Sequence, residues 1–599
     1  MKHLRFAALL SAAALLLSLL AGCADSPAGK ASTAAPAAES HAQATDAPLR
    51  FRSGYGPKHD GKTVSMLRLA DMPYVRPDAE QLIADYEALS EQAKTSADPE
   101  ALLAAYFDLE YRVMQFNSMF TLAVFRSNLN TTDSDYAAEY SYCTAQRAIL
   151  WDQEAALMRA LAASPCRDEL EQLYDGFYFS YYENYDPDAD TGYLDILQQE
   201  NELLEQYHAL TGAPSVTYAG ETKLLNQWMR SDSTEVRDGA YSAYIEQYHD
   251  RLGTLYLELV RVRQQLAAAM GYENYLDYTY DNYGRDYSTA DAEAFLADVR
   301  QYLVPVADAL YARDPKLHLG YSDALDQDPV TLLGTAAEKM GGPVLEAYRF
   351  LAAYELYDLS PTPEKRDVSY MAYVAEYEAP IIFINPLKHQ DVYGSLSHEF
   401  GHFVDSYVHC GSYDDLETAE TFSQAMVYLA LANAALPENV KAKALRMSLT
   451  ELLLERIIER STYADFEQRV YTMDPAELSL EKLDAIYEQC CLDDGHRVPY
   501  PDGIRPMSWV RDLYFFDYAG YVISYPLSAV ASLQICQKEA EKPGAGVASF
   551  CRLLGFANGW YSFREALNYA DLESPFRASY QESILPGIAD FLKEALELN

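Results

Sequence analysis

Five residues constrain this chain more than any others: His398-Glu399-Phe400-Gly401-His402. Four residues is close to one turn of helix, so the two imidazoles lie one above the other on a single face. Two ligands for one metal ion need that geometry. Glu399 sits about 100° around the helix from His398, where it can face a metal-held water without displacing a ligand. Asp391 is placed to cap the start of such a helix, and Gly411 to close it in a left-handed conformation. Val392, Leu396, Phe400 and Phe403 supply an apolar stripe at helical spacing. A second helix starts near Asp414 or Asp415 and stops before Pro437. It carries Glu417 and Glu420, and either can be a third ligand if a short loop makes the two helices antiparallel.

The wider stretch APIIFINPLKHQDVYGSLSHEFGH, followed by AETFSQAM, resembles the thimet oligopeptidase and oligoendopeptidase F family of zinc peptidases. That family runs a strand into its zinc helix and carries Glu-x-x-Ser-Gln on the next one. Placing Ser423-Gln424 on this pattern selects Glu420 as the third ligand. The implied centre holds one zinc ion on His398, His402 and Glu420, with a fourth position for water. Glu399 acts as general base toward a peptide carbonyl and then returns the proton to the leaving amine. Gln424, one turn past Glu420, is expected to orient a ligand.

A second stretch carries the same resemblance. In WVRDLYFFDYAGYVISYPLS, Tyr514, Tyr518 and Tyr521 fall at the family's tyrosine spacings, and Tyr514 and Tyr521 are the candidates for stabilising the oxyanion. The family has a histidine where this chain has Trp509, and His496 in DDGHRVPYP is a candidate replacement. The segment QQLAAAMGYENYLDYTY also resembles the family, where a helix–Gly–Tyr run precedes the catalytic half.

The pattern implies a mainly α fold: a large multi-helix metallopeptidase with a small antiparallel sheet beside the HExxH helix. By the family resemblance, the active site lies in a channel between two helical halves, admitting short peptides. Leu82, Tyr86 and Leu89, then Leu102, Tyr106, Leu109 and Val113, recur at helical spacing. One long helix follows Asp133 or Ser134 and ends before Pro165; another runs from near Ser233 to Gly271. Strands are scarce. Val368, Tyr370, Ala372 and Val374 alternate, and Ile381 to Ile384 form a short apolar run. They read as an antiparallel pair, one of which offers an edge to a peptide.

Residues 1–22 have a basic start (Lys2, Arg5) and a short apolar run, the build of a secretory signal. Leu20-Ala21-Gly22-Cys23 resembles the bacterial lipobox, which implies cleavage before Cys23 and a lipid on its sulfur. Residues 23–50 then form a tether rich in Ala, Ser, Pro and Thr. An N-terminal helical region spans 51–210 and the catalytic region 211–599. The expected location is extracytoplasmic, lipid-anchored to a bacterial cell membrane.

Charge excludes some partners. The chain carries a formal net charge of −44, and losing Lys2 and Arg5 leaves about −46. Nucleic acid and anionic lipid surfaces are poor partners for such a chain. Besides Cys23 there are seven cysteines, an odd number that makes no disulfide framework, with one or two bridges at most. The 50 tyrosines are mostly packing residues, so none is functional by default. Two other functions fit these residues: a catalytically impaired peptide-binding lipoprotein of the same fold, and a carboxypeptidase or dipeptidase on the same zinc site.

Overall fold

The computed structural model describes residues 67–174, 179, 191–315, 317, 327–362, 364–366, 368–386, 392–411, 415–497, 500–501, 503–556, 562–576 and 583–598. The leader, the lipobox cysteine, the tether and the Asp391 cap lie outside the described residues. Among those described, the chain is mainly α-helical, and no helix is long and apolar enough to cross a membrane.

Helices begin where the side chains can cap them. The Asp133 carboxylate accepts from the amides of Asp135 and Tyr136 and opens the helix Ser134–Ala162. The Ser233 hydroxyl accepts from Val236 N–H and opens Thr234–Ala269, which Gly271 closes at φ 83. The Asp415 carboxylate accepts from Thr418 N–H and opens Leu416–Asn433.

Apolar side chains gather into two cores. The smaller joins Ala79–Ala93, one face of Pro99–Leu129, and the helices Ser134–Ala162 and Arg167–Leu173. The larger takes nearly everything after residue 200. Pro99–Leu129 serves both: Leu102, Tyr106, Leu109 and Phe116 face the smaller core, and Met119, Leu122 and Phe125 the larger. Leu203 and Tyr207 of Thr191–Thr211 also belong to the larger, so the cores part before residue 210.

Both strands read from the sequence are present, as β4 (Ser369–Val374) and β5 (Ala379–Ile384), paired antiparallel. Two features go beyond that reading. A two-residue strand, β3 (Tyr357–Asp358), pairs parallel with β5 on its other side. A separate hairpin joins β1 (Ser215–Tyr218) to β2 (Glu221–Leu224) through Ala219 and Gly220, at φ 50 and 83. The order β3-β5-β4 makes β5 central and leaves β4 at the margin. β5 is buried along its whole length and runs toward the helix Val392–His409, which packs on both β5 and β4.

That helix ends differently from expectation. The left-handed residue is Cys410 (φ 57), and Gly411 N–H reaches back to Ser406 O at 3.1 Å, with Gly411 itself at φ 125. Among the described residues, Cys143, Cys166, Cys490, Cys491, Cys536 and Cys551 form no disulfide.

Candidate metal centre

Val392–His409 and Leu416–Asn433 pack face to face, and Gly401 sets how closely. A Cβ at Gly401 would fall against the carbonyl of Phe422 and the Cα of Ser423. Only a residue without a side chain lets the two backbones approach this far. The approach carries Glu420 to the two histidines. Ligand atoms of His398, His402 and Glu420 all lie within 4.8 Å of one another. His398 Nε2 stands 3.8 Å from Glu420 Oε2, and the two imidazole rings are 5.3 Å apart at 83°.

Glu417 is as buried as Glu420 but is occupied elsewhere. Its Oε1 accepts from Arg285 Nε (3.1 Å), Tyr287 Oη (2.5 Å) and Ser524 Oγ (2.7 Å). Glu420 accepts from Tyr521 Oη on one oxygen (3.2 Å) and from Ser423 Oγ on the other (3.1 Å). Ser423 and Tyr521 therefore orient Glu420 between them. Gln424 turns its amide to Ser528 Oγ at 2.9 Å, and its hydrogen bond goes there rather than to His398, His402 or Glu420.

Burial sets the protonation states. It holds His398 well below the ordinary histidine range, helped by His402 and Arg456. It lowers His402 too, against the pull of Glu420. Both imidazoles are thus neutral, the form that ligates a metal. Glu399 is pushed up to about 8 by burial and by Glu420, although the Met371 backbone N–H and Arg456 act the other way. One Glu399 oxygen is buried with no hydrogen-bond partner. A divalent cation on the three ligands opposes that rise and restores the carboxylate. Two neutral imidazoles and a carboxylate fit zinc, which takes such donors at about 2.0–2.2 Å.

The tyrosines divide. Tyr521 reaches the cluster through Glu420. Tyr514 stacks on Tyr521 (ring centroids 5.7 Å, 13°) and shares a 2.7 Å hydrogen bond with Tyr525, so its hydroxyl lies one ring further back. Tyr518 packs against both Tyr514 and Tyr521. Trp509 does not stand in for a histidine at the cluster. It is fully buried, and its Nε1 donates to Asp484 Oδ1 (2.8 Å), the oxygen that also holds His249 Nε2 (2.9 Å). His496 does not replace it either. It sits 4.0 Å from Glu459 and edge-on to Tyr463, with burial driving it down to about 4.

Sequence reading passed over Gly401, Ser423, Tyr525 and Arg456. Gly401 and Ser423 lie inside the motifs and were legible as small residues at a helix crossing. Tyr525 and Arg456 come together across about seventy residues of chain, and no local pattern announces that.

Comparison with known proteins bears on the fold. Residues 69–185 match the family model described as the peptidase M3 N-terminal domain. The fold is similar to that of PZ peptidase A solved with an inhibitor: TM-score 0.73, 22% identity, 88% of this chain and 100% of that one. Two structures assigned to oligoendopeptidase F follow. One has TM-score 0.71 and 22% identity over 89% of this chain and 99% of that one. The other, from Bacillus anthracis str. Ames, has TM-score 0.68 and 22% identity over 89% and 98%. No curated protein matches the chain. The mainly helical fold of these structures is shared over 88–89% of this chain.

Proposed function

We propose that this chain is a zinc-dependent oligopeptidase that hydrolyses internal bonds of short peptides. The observation that carries this reading is the convergence of His398, His402 and Glu420 with Glu399 beside them, all buried or nearly so. A zinc ion there supplies Lewis-acid chemistry, acidifying water and polarising a carbonyl. The protein's own groups do the rest. His398 and His402 stay neutral, each offering a ring nitrogen within 4.8 Å of the other ligand atoms. Glu399 takes a proton from the attacking water on its carboxylate and passes it to the leaving nitrogen. Tyr521, donating to Glu420 at rest, is the hydroxyl next to the developing oxyanion. β4 lies at the sheet margin, and the Met371 N–H already bonds Glu399. A peptide laid along that strand has its backbone beside the base.

The proposal extends to place and substrate size. The leader and Cys23 support an enzyme tethered by lipid outside the cytoplasm of a bacterium, with residues 23–50 as spacer. A site buried between helices supports short, unfolded substrates over folded proteins.

The test uses an internally quenched peptide of about ten residues with the parent and with Glu399→Gln at equal zinc content. The expected result is cleavage by the parent alone, abolished by a chelator and restored by zinc. Product masses separate internal cleavage from release of terminal residues. Equal, negligible turnover by both proteins across a mixed peptide library overturns the reading and favours a binding protein.

A further inference from the structure

The helix Tyr275–Asn282 ends on Gly284 in the left-handed region (φ 67), and Arg285 N–H reaches back to Tyr280 O at 3.1 Å. After that turn the Arg285 side chain is fully buried. Its guanidinium carbon lies 4.3 Å from the ring of Tyr280 and 5.0 Å from that of Tyr283. A buried guanidinium is costly unless its nitrogens find acceptors. Here all three do. Nε donates to Glu417 Oε1 (3.1 Å) and Nη1 to Gly520 O (2.6 Å). Nη2 donates to Ser524 Oγ (2.8 Å) and, at 3.4 Å, to Tyr521 O.

Glu417 alone would neutralise that charge. The two carbonyls do something else, because they belong to the turn that carries the Tyr521 side chain. The other side of the turn is held as well. Glu467, buried on the helix Arg460–Tyr471, accepts from Gly520 N–H at 3.0 Å. Gly520 has φ 78, and a Cβ there would fall on Thr279 Oγ1, so the turn is seated directly on Tyr275–Asn282. Tyr283 meets the Tyr521 ring edge-on, with centroids 6.2 Å apart. These contacts close a ring. Glu417 stands one turn before Glu420 on Leu416–Asn433. Arg285 joins Glu417 to the backbone of Gly520 and Tyr521, and the Tyr521 hydroxyl returns to Glu420 Oε1 at 3.2 Å.

We propose that Arg285 is a positioning residue: its fork fixes the Gly520–Tyr521 turn against the ligand helix and so sets the Tyr521 hydroxyl on Glu420. This rests on the zinc-peptidase reading of that site, and Arg285 acts through Tyr521 rather than on the metal. Lysine keeps a positive charge for Glu417 but presents a compact ammonium in place of a planar fork. Arg285→Lys therefore separates charge compensation from positioning.

The test compares the full chain in four forms: parent, Arg285→Lys, Tyr521→Phe and the double variant. Zinc affinity is read by competition with a chromophoric chelator, and kcat and KM with an internally quenched peptide. Tyr521→Phe should weaken zinc binding about tenfold, the usual weight of a group that orients a ligand. Arg285→Lys should do nearly the same although every ligand and Tyr521 are in place, and should lower kcat with little change in KM. The double variant should be no weaker than Tyr521→Phe, because both changes release one restraint. Losses that multiply in the double variant, or an Arg285→Lys that matches the parent, overturn the assignment and leave Arg285 a counter-ion only. A Tyr521→Phe that matches the parent overturns it too, since Arg285 then has nothing to position. Ser524→Ala removes one Arg285 acceptor while Arg285 and Glu417 remain, and it runs through the same cycle in case Arg285→Lys folds poorly. Its loss should vanish on the Tyr521→Phe background; no loss, or one that persists there, counts against the proposal. Failure of the zinc-peptidase reading is seen separately, as a parent that takes up no zinc and cleaves nothing.

Discussion

Glu417 and Glu420 sit one turn apart on one helix, both buried, and the fold uses them in opposite ways. Glu417 meets a guanidinium and two hydroxyls on a single oxygen, and that set ties Leu416–Asn433 to the helix Ser524–Glu541 and to Arg285. Glu420 meets two hydroxyls and otherwise faces His398 and His402. A carboxylate given its own counter-ion is scaffold. One set among neutral imidazoles has the surroundings that suit a metal ligand. Spacing alone does not separate them, because both lie within reach of a neighbouring helix. What separates them is Arg285, more than a hundred residues earlier in the chain.

The largest effect that sharpens this contrast is on zinc. Glu420→Gln should lose stoichiometric zinc and all peptidase activity, while Glu417→Gln keeps zinc on folded protein; metal content after gel filtration reads both. If Glu417→Gln alone loses the metal, the assignment of the two carboxylates is reversed. Glu399→Gln should keep the metal and lose about 10²–10⁴-fold in kcat, since it removes the proton acceptor and no ligand. Next comes Gly401→Ala. Its methyl would press on the Phe422 carbonyl and force the two helices apart, so zinc affinity should fall although no ligand has changed. Unaltered affinity would show that the crossing is not what positions Glu420.

The scaffold side of the contrast is read in stability. Glu417→Ala leaves Arg285, fully buried, without its counter-ion. Breaking such a pair typically costs about 3–5 kcal/mol. The urea midpoint should drop sharply, and pairing the change with Arg285→Met should recover part of the loss. Tyr521→Phe removes one donor to Glu420 and should cost about 10–100-fold in activity, the usual weight of a group that orients a ligand.

Much of this was legible in sequence because it is local. A cap followed by a 3.6-residue stripe gave the helices opening at Asp133, Ser233 and Asp415, and alternation gave β4 and β5. His398 and His402 share a face by spacing alone. The gaps have physical reasons. β3 is two residues long and exists only because β5 offers it a partner. The β1–β2 turn lacks the asparagine or aspartate that usually marks such turns, having Ala219 at a positive φ instead. Gln424 was expected at a ligand because i+4 points back along the helix. Ser528 on the neighbouring helix takes its amide, and the shorter Ser423 reaches Glu420. Trp509 matched a site position by spacing, but its indole N–H is drawn into the core by Asp484.

The contrast has a third member in the smaller core. Glu110 and Glu154 lie together away from any metal ligand, and burial raises them to about 8 and about 7, Glu110 also feeling the charge of Glu154. One Glu110 oxygen is buried without a hydrogen-bond partner. With neither Arg285 nor a zinc ion to face, this pair holds its protons to higher pH than an exposed carboxylate does. In the unfolded chain both titrate near about 4.5, so below that pH they are protonated in either state and cost nothing. As pH rises from there through the folded values, ionisation favours the unfolded chain, and the smaller core loses stability. Glu110→Gln removes the share of that dependence that comes from Glu110. Its unfolding free energy should match the parent's near about pH 4.5 and exceed it near about pH 9, by on the order of a few kcal/mol. An equal difference at both pH values would mean that Glu110 is ionised and partnered in the folded state, which would put it in the same class as Glu417.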